Sequence, residues 1–276
     1  MRHVLSTHVF VNHRQTVAML DRIAKSGIRE TEIFCARQHL DYHNRAQIDE
    51  LAHWFRDSDL KLHSLHSPMF TDTIWGRSGP HAVITITEPN KGKRLASTDE
   101  IKRALEIAEL IPFRYLIQHV GVGGEEYSER AVEAAFTCLE ELSIFAGQRG
   151  VEVLVENIPN GLSTAERLVE FVGATHLPLH FVFDTGHAHI VNSVEREFEL
   201  MRERVRSTHV HDNNGTDDTH LFPNQERPGG IDWKKTMEML RACGDQFPLL
   251  LELREVPDME HPLDEIRRVF DRLESL

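Results

Sequence analysis

The stretch FVFDTGHAHI, residues 181–190, puts three apolar or aromatic residues in front of Asp184, a threonine, a glycine, and the pair His187 and His189. A buried strand normally hides its polar groups. Either these polar residues open an ordinary loop, with Asp184 capping the next helix, or the strand carries ligands into a site. Its neighbours in sequence decide. Short apolar, β-branched runs recur along the chain: 3–10, 30–34, 60–66, 115–120, 151–157, 179–184, 206–212 and 248–254. Between them lie longer segments with apolar residues three and four apart and charges opposite, such as AQIDELAHWFRD and STDEIKRALEIAEL, the spacing of amphipathic helices. Gly27 and Gly150 stand where helix C-caps belong. Eight strands alternating with eight helices predict a parallel sheet closed into a single-domain (β/α)8 TIM barrel over residues 1–276, an α/β fold. No glycine-rich phosphate fingerprint follows the first strand, which argues against a dinucleotide fold. The longest connection, about 67–96, holds Trp75, Lys91, Lys93 and Arg94; a loop that long is expected to be functional or a lid.

Bulk composition narrows the function. The chain has 276 residues, is 40% hydrophobic and carries a formal charge of -13, a balance that counts against binding nucleic acid through its phosphates. No apolar run reaches membrane-spanning length, and the N-terminus lacks a signal-peptide layout. Cys35, Cys138 and Cys243 are isolated, as in a reduced, cytoplasmic protein. Histidine, the commonest metal ligand, occurs 18 times. His13, His43, His53 and His176 lie in polar or loop-like contexts and read as surface residues.

The C-terminal ends of barrel strands share one face, where active sites lie. Read in order, these ends carry Glu32, His66, His119, Glu156, Asp184 with His187 a turn on, His209 with His211 and Asp212, and Glu252. One polar strand end is usually a cap. At least six consecutive strands with His, Asp or Glu at one level are not, because burying that many carboxylates unpaired costs several kcal/mol each. A divalent cation is the simplest compensation, and a set of carboxylates and imidazoles without thiolate suits Mn, Mg, Co or Zn. Asp184 is therefore read as a ligand.

VENIPN, FDTGHAHI, THVHDN and LLLELRE, in this order, resemble the xylose-isomerase-like TIM-barrel superfamily, over nearly the whole chain. That superfamily includes sugar phosphate isomerases and epimerases and abasic-site nucleases of the endonuclease IV type. The resemblance implies a metal held by Glu156, Asp184, His209 and Glu252. His209 is chosen over His211 because Asp212 completes the family's His-x-x-Asp pattern; His211 points to the same side of an ideal strand. The nuclease branch holds three zinc ions, and its further ligands match His66, His119, His187, Asp218 and His220; in the isomerase branch such residues contact substrate hydroxyls.

The acidic charge, and loops after strands one and two without a dense basic–aromatic insertion, favour a small-molecule enzyme with a carbohydrate substrate, no nucleic acid or membrane partner, and self-association left open. The expected activity is that of a metal-dependent isomerase. It moves a proton next to a carbonyl through a metal-stabilised enediolate, with Glu156 and Glu252 as the proton-exchanging pair and His187 on a substrate oxygen. The alternatives are a zinc phosphodiesterase of the nuclease type, or a polyol or keto-acid dehydratase. Ketose epimerases carry a further Glu where this chain has Leu162, so that subtype fits less well than the class. Arg254 is a candidate for a phosphate or carboxylate, or a partner of Glu252; Glu32 is a substrate contact or a partner of His66. Trp75 is a candidate to stack on a sugar, and Trp233 to anchor a helix start. His189 and His211 are read as supporting residues behind the ligands. The sequence leaves one central metal as the expectation, with the flanking histidines facing a small polyol.

Overall fold

A computed structural model describes residues 1–74, 77 and 82–276. Trp75 lies outside the described residues, and with it the proposed stacking role. Eight strands, β1 (His3–Ser6), β2 (Glu30–Phe34), β3 (Lys61–His66), β4 (Tyr115–His119), β5 (Glu152–Glu156), β6 (His180–Asp184), β7 (Val205–His209) and β8 (Leu249–Leu251), pair in parallel in the order β7-β6-β5-β4-β3-β2-β1-β8. The ring closes between β7 and β8 through one bridge, Val210 to Leu251, with Val210 N–H donating to Leu250 O at 2.8 Å and Glu252 N–H to Val210 O at 3.2 Å. This is the (β/α)8 barrel that the strand–helix rhythm predicts.

Nine α-helices are found among the described residues: α1 (Val17–Lys25), α2 (Arg45–Asp57), α3 (Lys91–Leu105), α4 (Glu129–Gly147), α5 (Ala165–Gly173), α6 (Thr185–Val191), α7 (Val194–Met201), α8 (Trp233–Arg241) and α9 (Pro262–Ser275). Thr16, Asn44, Thr164 and Asp232 each accept a hydrogen bond from a first-turn amide and fix where α1, α2, α5 and α8 begin. Gly27, just past α1, has φ +93°, the left-handed turn that a side chain would strain. None of the helices is long and apolar enough to cross a membrane among the described residues.

Two departures from the expected layout matter. The connection after β3 is shorter than 67–96, because Asn90 caps α3 and Lys91, Lys93 and Arg94 lie in its first turns. Its earlier part folds back on itself, with Phe70 and Val83 bridged antiparallel and Ile84 N–H donating to Met69 O at 2.9 Å. Then α6, seven residues long, follows β6 directly and was not among the eight expected helices.

Alternation along each strand sets the level of the site. Tyr115, Ile117, Leu154 and Val182 form a buried cluster of their own, separate from the large core between strands and helices. Two residues beyond Ile117, Leu154 and Val182, on the same faces, come His119, Glu156 and Asp184. The apolar plug thus ends where the polar layer starts.

Candidate metal centre

Glu156, Asp184, His209 and Glu252, from the ends of β5 to β8, each offer one donor atom, and these atoms lie within 4.8 Å of one another. All four are buried. His209 Nδ1 sits 2.9 Å from Glu156 Oε1, 3.2 Å from Glu252 Oε2 and 4.0 Å from Asp184 Oδ2. Ligands bound at about 2.0–2.2 Å stand roughly 3 Å apart when adjacent on one ion, so two of these spacings match a shared cation. The other ring nitrogen, Nε2, faces Glu32, 3.2 Å from Oε1 and 3.3 Å from Oε2, and Glu32 Oε2 also accepts from Ser64 Oγ at 2.7 Å. Glu32 therefore orients His209, not His66 as the sequence suggested, because β2 points it inward beneath the β7 end. A carboxylate behind a ligating imidazole fixes its tautomer and raises its basicity.

Asp184 serves as cap and faces the donor layer at once. Its Oδ1 accepts from His187 N–H at 2.6 Å and starts α6, while Oδ2 faces His211 Nε2 at 3.0 Å. The carboxylate has two oxygens for two tasks.

Two more donor groups flank the first. His66, His119 and Glu156 form one, with His66 Nε2 3.2 Å from His119 Nε2, and His119 Nε2 3.2 Å from Glu156 Oε2. His187, His211, Asp218 and His220 form the other, with His187 Nε2 and His220 Nε2 each 3.2 Å from Asp218 Oδ2. His211, expected to stand behind the ligands, is thus brought to the donor layer itself, stacked on His220 at 4.0 Å between ring centroids. Gly186 makes room for it: a Cβ there would lie 2.0 Å from His211 Cε1. His189 belongs to neither group and bonds Asn213 Oδ1 at 2.8 Å.

The tautomers argue for cations. His66 Nδ1 meets Ser67 O at 3.0 Å, His187 Nδ1 meets Asn157 O at 2.9 Å, and His220 Nδ1 meets Glu252 O at 3.1 Å. A carbonyl only accepts, so each Nδ1 carries a proton and each Nε2 faces inward; burial and His119 keep His66 neutral, so its Nε2 turns a lone pair inward, whereas His187, despite its burial, is held well above the usual range by Asp184 and Asp218. These inward nitrogens stand 3.2 Å from another imidazole nitrogen or from a carboxylate oxygen, close enough to share a cation. Glu156 Oε2 and Glu32 Oε1 are buried without a hydrogen-bond partner among the described residues.

The electrostatics of the buried groups point the same way. Burial pushes Glu252 up to about 8 against the pull of His209 and His220. Burial lowers His209, but Glu156, Glu252 and Glu32 more than offset it and hold its imidazole well above the usual range. Burial would raise Glu156, yet His209 and His119 hold it well below the usual carboxylate range. Burial and then His119 lower His66 to about 3, so it stays neutral. Extra protons on His209 and Glu252 are what this set uses to balance charge on its own; a divalent ion replaces them, so the donor set fits a metal.

The loop after β7 is held by one carboxylate. Asp212 accepts from the amides of Asn213 at 2.9 Å, Asn224 at 3.2 Å and Ile231 at 3.1 Å, from Arg227 Nε at 3.1 Å and from Trp233 Nε1 at 3.2 Å. Trp233, the first residue of α8, is the anchor its position suggested. His220 has φ +46°, left-handed backbone unusual for a side-chain-bearing residue, kept within this pinned loop.

Above the donors opens a cavity of about 310 Å³. Its walls include His66, His119, His187, Asp218, His220 and Arg254 from the expected set, but also His8, Val11, Phe34 and Met69. Sequence reasoning missed His8. It stands two residues past Ser6, the last residue of β1, and its Nδ1 bonds Leu253 O at 3.0 Å. Reading the end of the first strand as the other seven were read would have found it. Val11, Phe34 and Ala36 make a small apolar cluster of their own, joined by Met69, along one wall.

Comparison with known proteins agrees with this architecture. The family described as "Xylose isomerase-like TIM barrel" matches residues 20–276. An uncharacterized protein of Methanocaldococcus jannaschii is 21% identical over 98% of this chain and 99% of its own. Among solved structures, a D-tagatose 3-epimerase-like protein superposes with a TM-score of 0.77 at 22% identity, covering 100% of this chain and 99% of its own. An IolI protein with a binding zinc atom gives 0.77 at 17% identity, covering 99% and 96%. These structural likenesses establish the fold.

Proposed function

The chain belongs to the xylose isomerase-like TIM-barrel family, and from that premise we propose that it is a divalent-metal-dependent isomerase or epimerase of a small carbohydrate. The observation that carries this reading is the placement of Glu156 and Glu252. They come from β5 and β8, flank His209 Nδ1 at 2.9 and 3.2 Å, and border the same cavity.

A cation held by Glu156, Asp184, His209 and Glu252 would supply Lewis-acid polarisation of a carbonyl and its neighbouring hydroxyl. The protein's own part is proton traffic. One carboxylate removes the proton from the carbon beside the carbonyl; the other delivers a proton to the same carbon from the opposite face, or to its neighbour. Nothing is oxidised overall. His187 is fixed by Asn157 O and lines the cavity, placed to hold a substrate oxygen. The apolar plug of Tyr115, Ile117, Leu154 and Val182 closes the barrel beneath the reacting groups and keeps water from that side.

The test is solvent exchange. Metal-loaded protein is incubated with a panel of ketoses and aldoses in D2O, and deuterium at the carbon next to the carbonyl is followed by NMR. Incorporation with at least one sugar is expected. None across the panel at full metal loading would remove the isomerase reading.

A second reading has its own observation. His66 Nε2 and His119 Nε2, 3.2 Å apart, with Glu156 shared between the first and second donor groups, suit more than one ion, as in metal-dependent phosphodiester hydrolysis. About three Zn per chain together with cleavage of an abasic-site duplex would favour it; about one metal per chain and no cleavage leaves the isomerase.

A further inference from the structure

We propose that Arg254 is the anchor for an anionic group of the substrate, a phosphate or a carboxylate, held at the cavity mouth away from the reacting carbons. This rests on the reading of the cavity as the substrate site.

Among the described residues that line the cavity, Arg254 is the only lysine or arginine. Its backbone is fixed, the N–H donating to His220 O at 2.8 Å, while its side chain is exposed. The bland expectation is a salt bridge to a nearby acid such as Glu252. The structure has none: no carboxylate among the described residues stands in ion-pair distance of the Arg254 guanidinium, and the two acids beside it on the cavity wall have other partners. Glu252 faces His209 Nδ1 at 3.2 Å and His220 Nδ1 at 3.7 Å. Glu255, the next residue along and also on the cavity wall, is taken by His13 Nε2 at 2.7 Å and Asn12 Nδ2 at 3.1 Å. The acids that would neutralise Arg254 are therefore occupied, and its five N–H donors remain for a ligand.

The spacing fits a substrate that bridges the two ends of the cavity. Glu252 and Arg254 both line the cavity and are two residues apart on the chain leaving β8, a reach of roughly 6–7 Å where the chain is extended. That is the reach of a sugar chain a few carbons long. Its carbonyl end would lie at the donor layer and its charged end at the guanidinium. A planar guanidinium meets phosphate or carboxylate oxygens two at a time, and an exposed one has little desolvation to overcome before it does so.

Equilibrium titration of the metal-loaded protein tests this, with D-fructose as neutral probe, D-fructose 6-phosphate as phosphate probe and D-glucuronate as carboxylate probe. One of the two anions is expected to bind about tenfold or more tighter than D-fructose, as for a charge-assisted contact, and which one names the group. In Arg254→Met that preference should fall to about one, and in Arg254→Lys it should survive in part; metal content is measured for each variant. Wild-type protein with no preference for either anion, or Arg254→Met keeping the full preference, overturns the assignment. The two readings fail separately. Proton exchange without anion preference removes Arg254 and leaves the isomerase; anion preference without exchange does the reverse.

Discussion

Adding a single methyl group at Gly186 tests how the donor layer is packed. An alanine Cβ at this position of α6 would lie 2.0 Å from His211 Cε1, 2.5 Å from Nδ1 and 2.7 Å from Nε2. His211 cannot step aside, because it is fully buried and stacked on His220. It must leave its seat and its 3.0 Å contact with Asp184. Overpacking costs about 1–3 kcal/mol, the lost bond to a carboxylate about 1.5–3, and alanine in a helix returns about 1. The net cost is about 1.5–5 kcal/mol. For 276 residues, unfolding entropy of about 2.1 cal/mol/K per residue makes this a fall of about 3–9 °C in Tm, read by calorimetry. The same substitution in a His211→Gly background meets no imidazole, so Gly186→Ala should there be neutral or stabilising by up to about 1 kcal/mol. An unchanged Tm in the wild-type background, or an equal loss in both, would refute the packing argument.

Glu156→Gln and Glu252→Gln should each slow deuterium exchange about a hundredfold or more; near wild-type exchange in either would exclude the two-glutamate scheme. Asp212→Ala should cost about 3–5 kcal/mol and open residues 213–231 to limited proteolysis, since five donors lose their acceptor; a protease-resistant loop would show that Asp212 does not pin it. In metal-free protein Glu252, raised to about 8 by burial, is protonated at pH 7. A cation must displace that proton and the one held on His209, so metal affinity should climb as pH rises from 7 through 8. Calorimetric titration at pH 7 in buffers of different ionisation heat reads the release, and a value of zero contradicts it.

The strands were legible because short runs rich in apolar and β-branched residues recur between amphipathic segments, and their ends because histidines and carboxylates stand there. The four central donors came out of that reading together with the family's order of motifs. What escaped depends on partners distant in sequence. Helix α6 has a glycine, two histidines and β-branched residues in seven positions and no amphipathic stripe; it forms because Asp184 caps it. Gly186 reads as a turn residue until His211 is laid against it. His211 follows His209 by one strand period, so spacing alone could not separate their tasks. The partner of Glu32 depended on how far each strand is shifted against its neighbour, and β2 against β3 carries a register shift between Thr31 and Glu32. The apolar wall draws Val11, Phe34 and Met69 from three separate stretches of chain, none of them apolar enough to stand out.

The barrel's closure has a mechanical side. Seven of its joints are ladders of paired residues, but β7 and β8 meet at the single bridge of Val210 and Leu251. His209 and Glu252 are the residues on either side of that thin seam, their side chains 3.2 Å apart. An ion gripped by both would act as a clasp, fastening the hoop where it is least well stitched. Emptying the centre would then loosen the hoop, and slackness should spread from this joint before it reaches the well-laddered side of the ring.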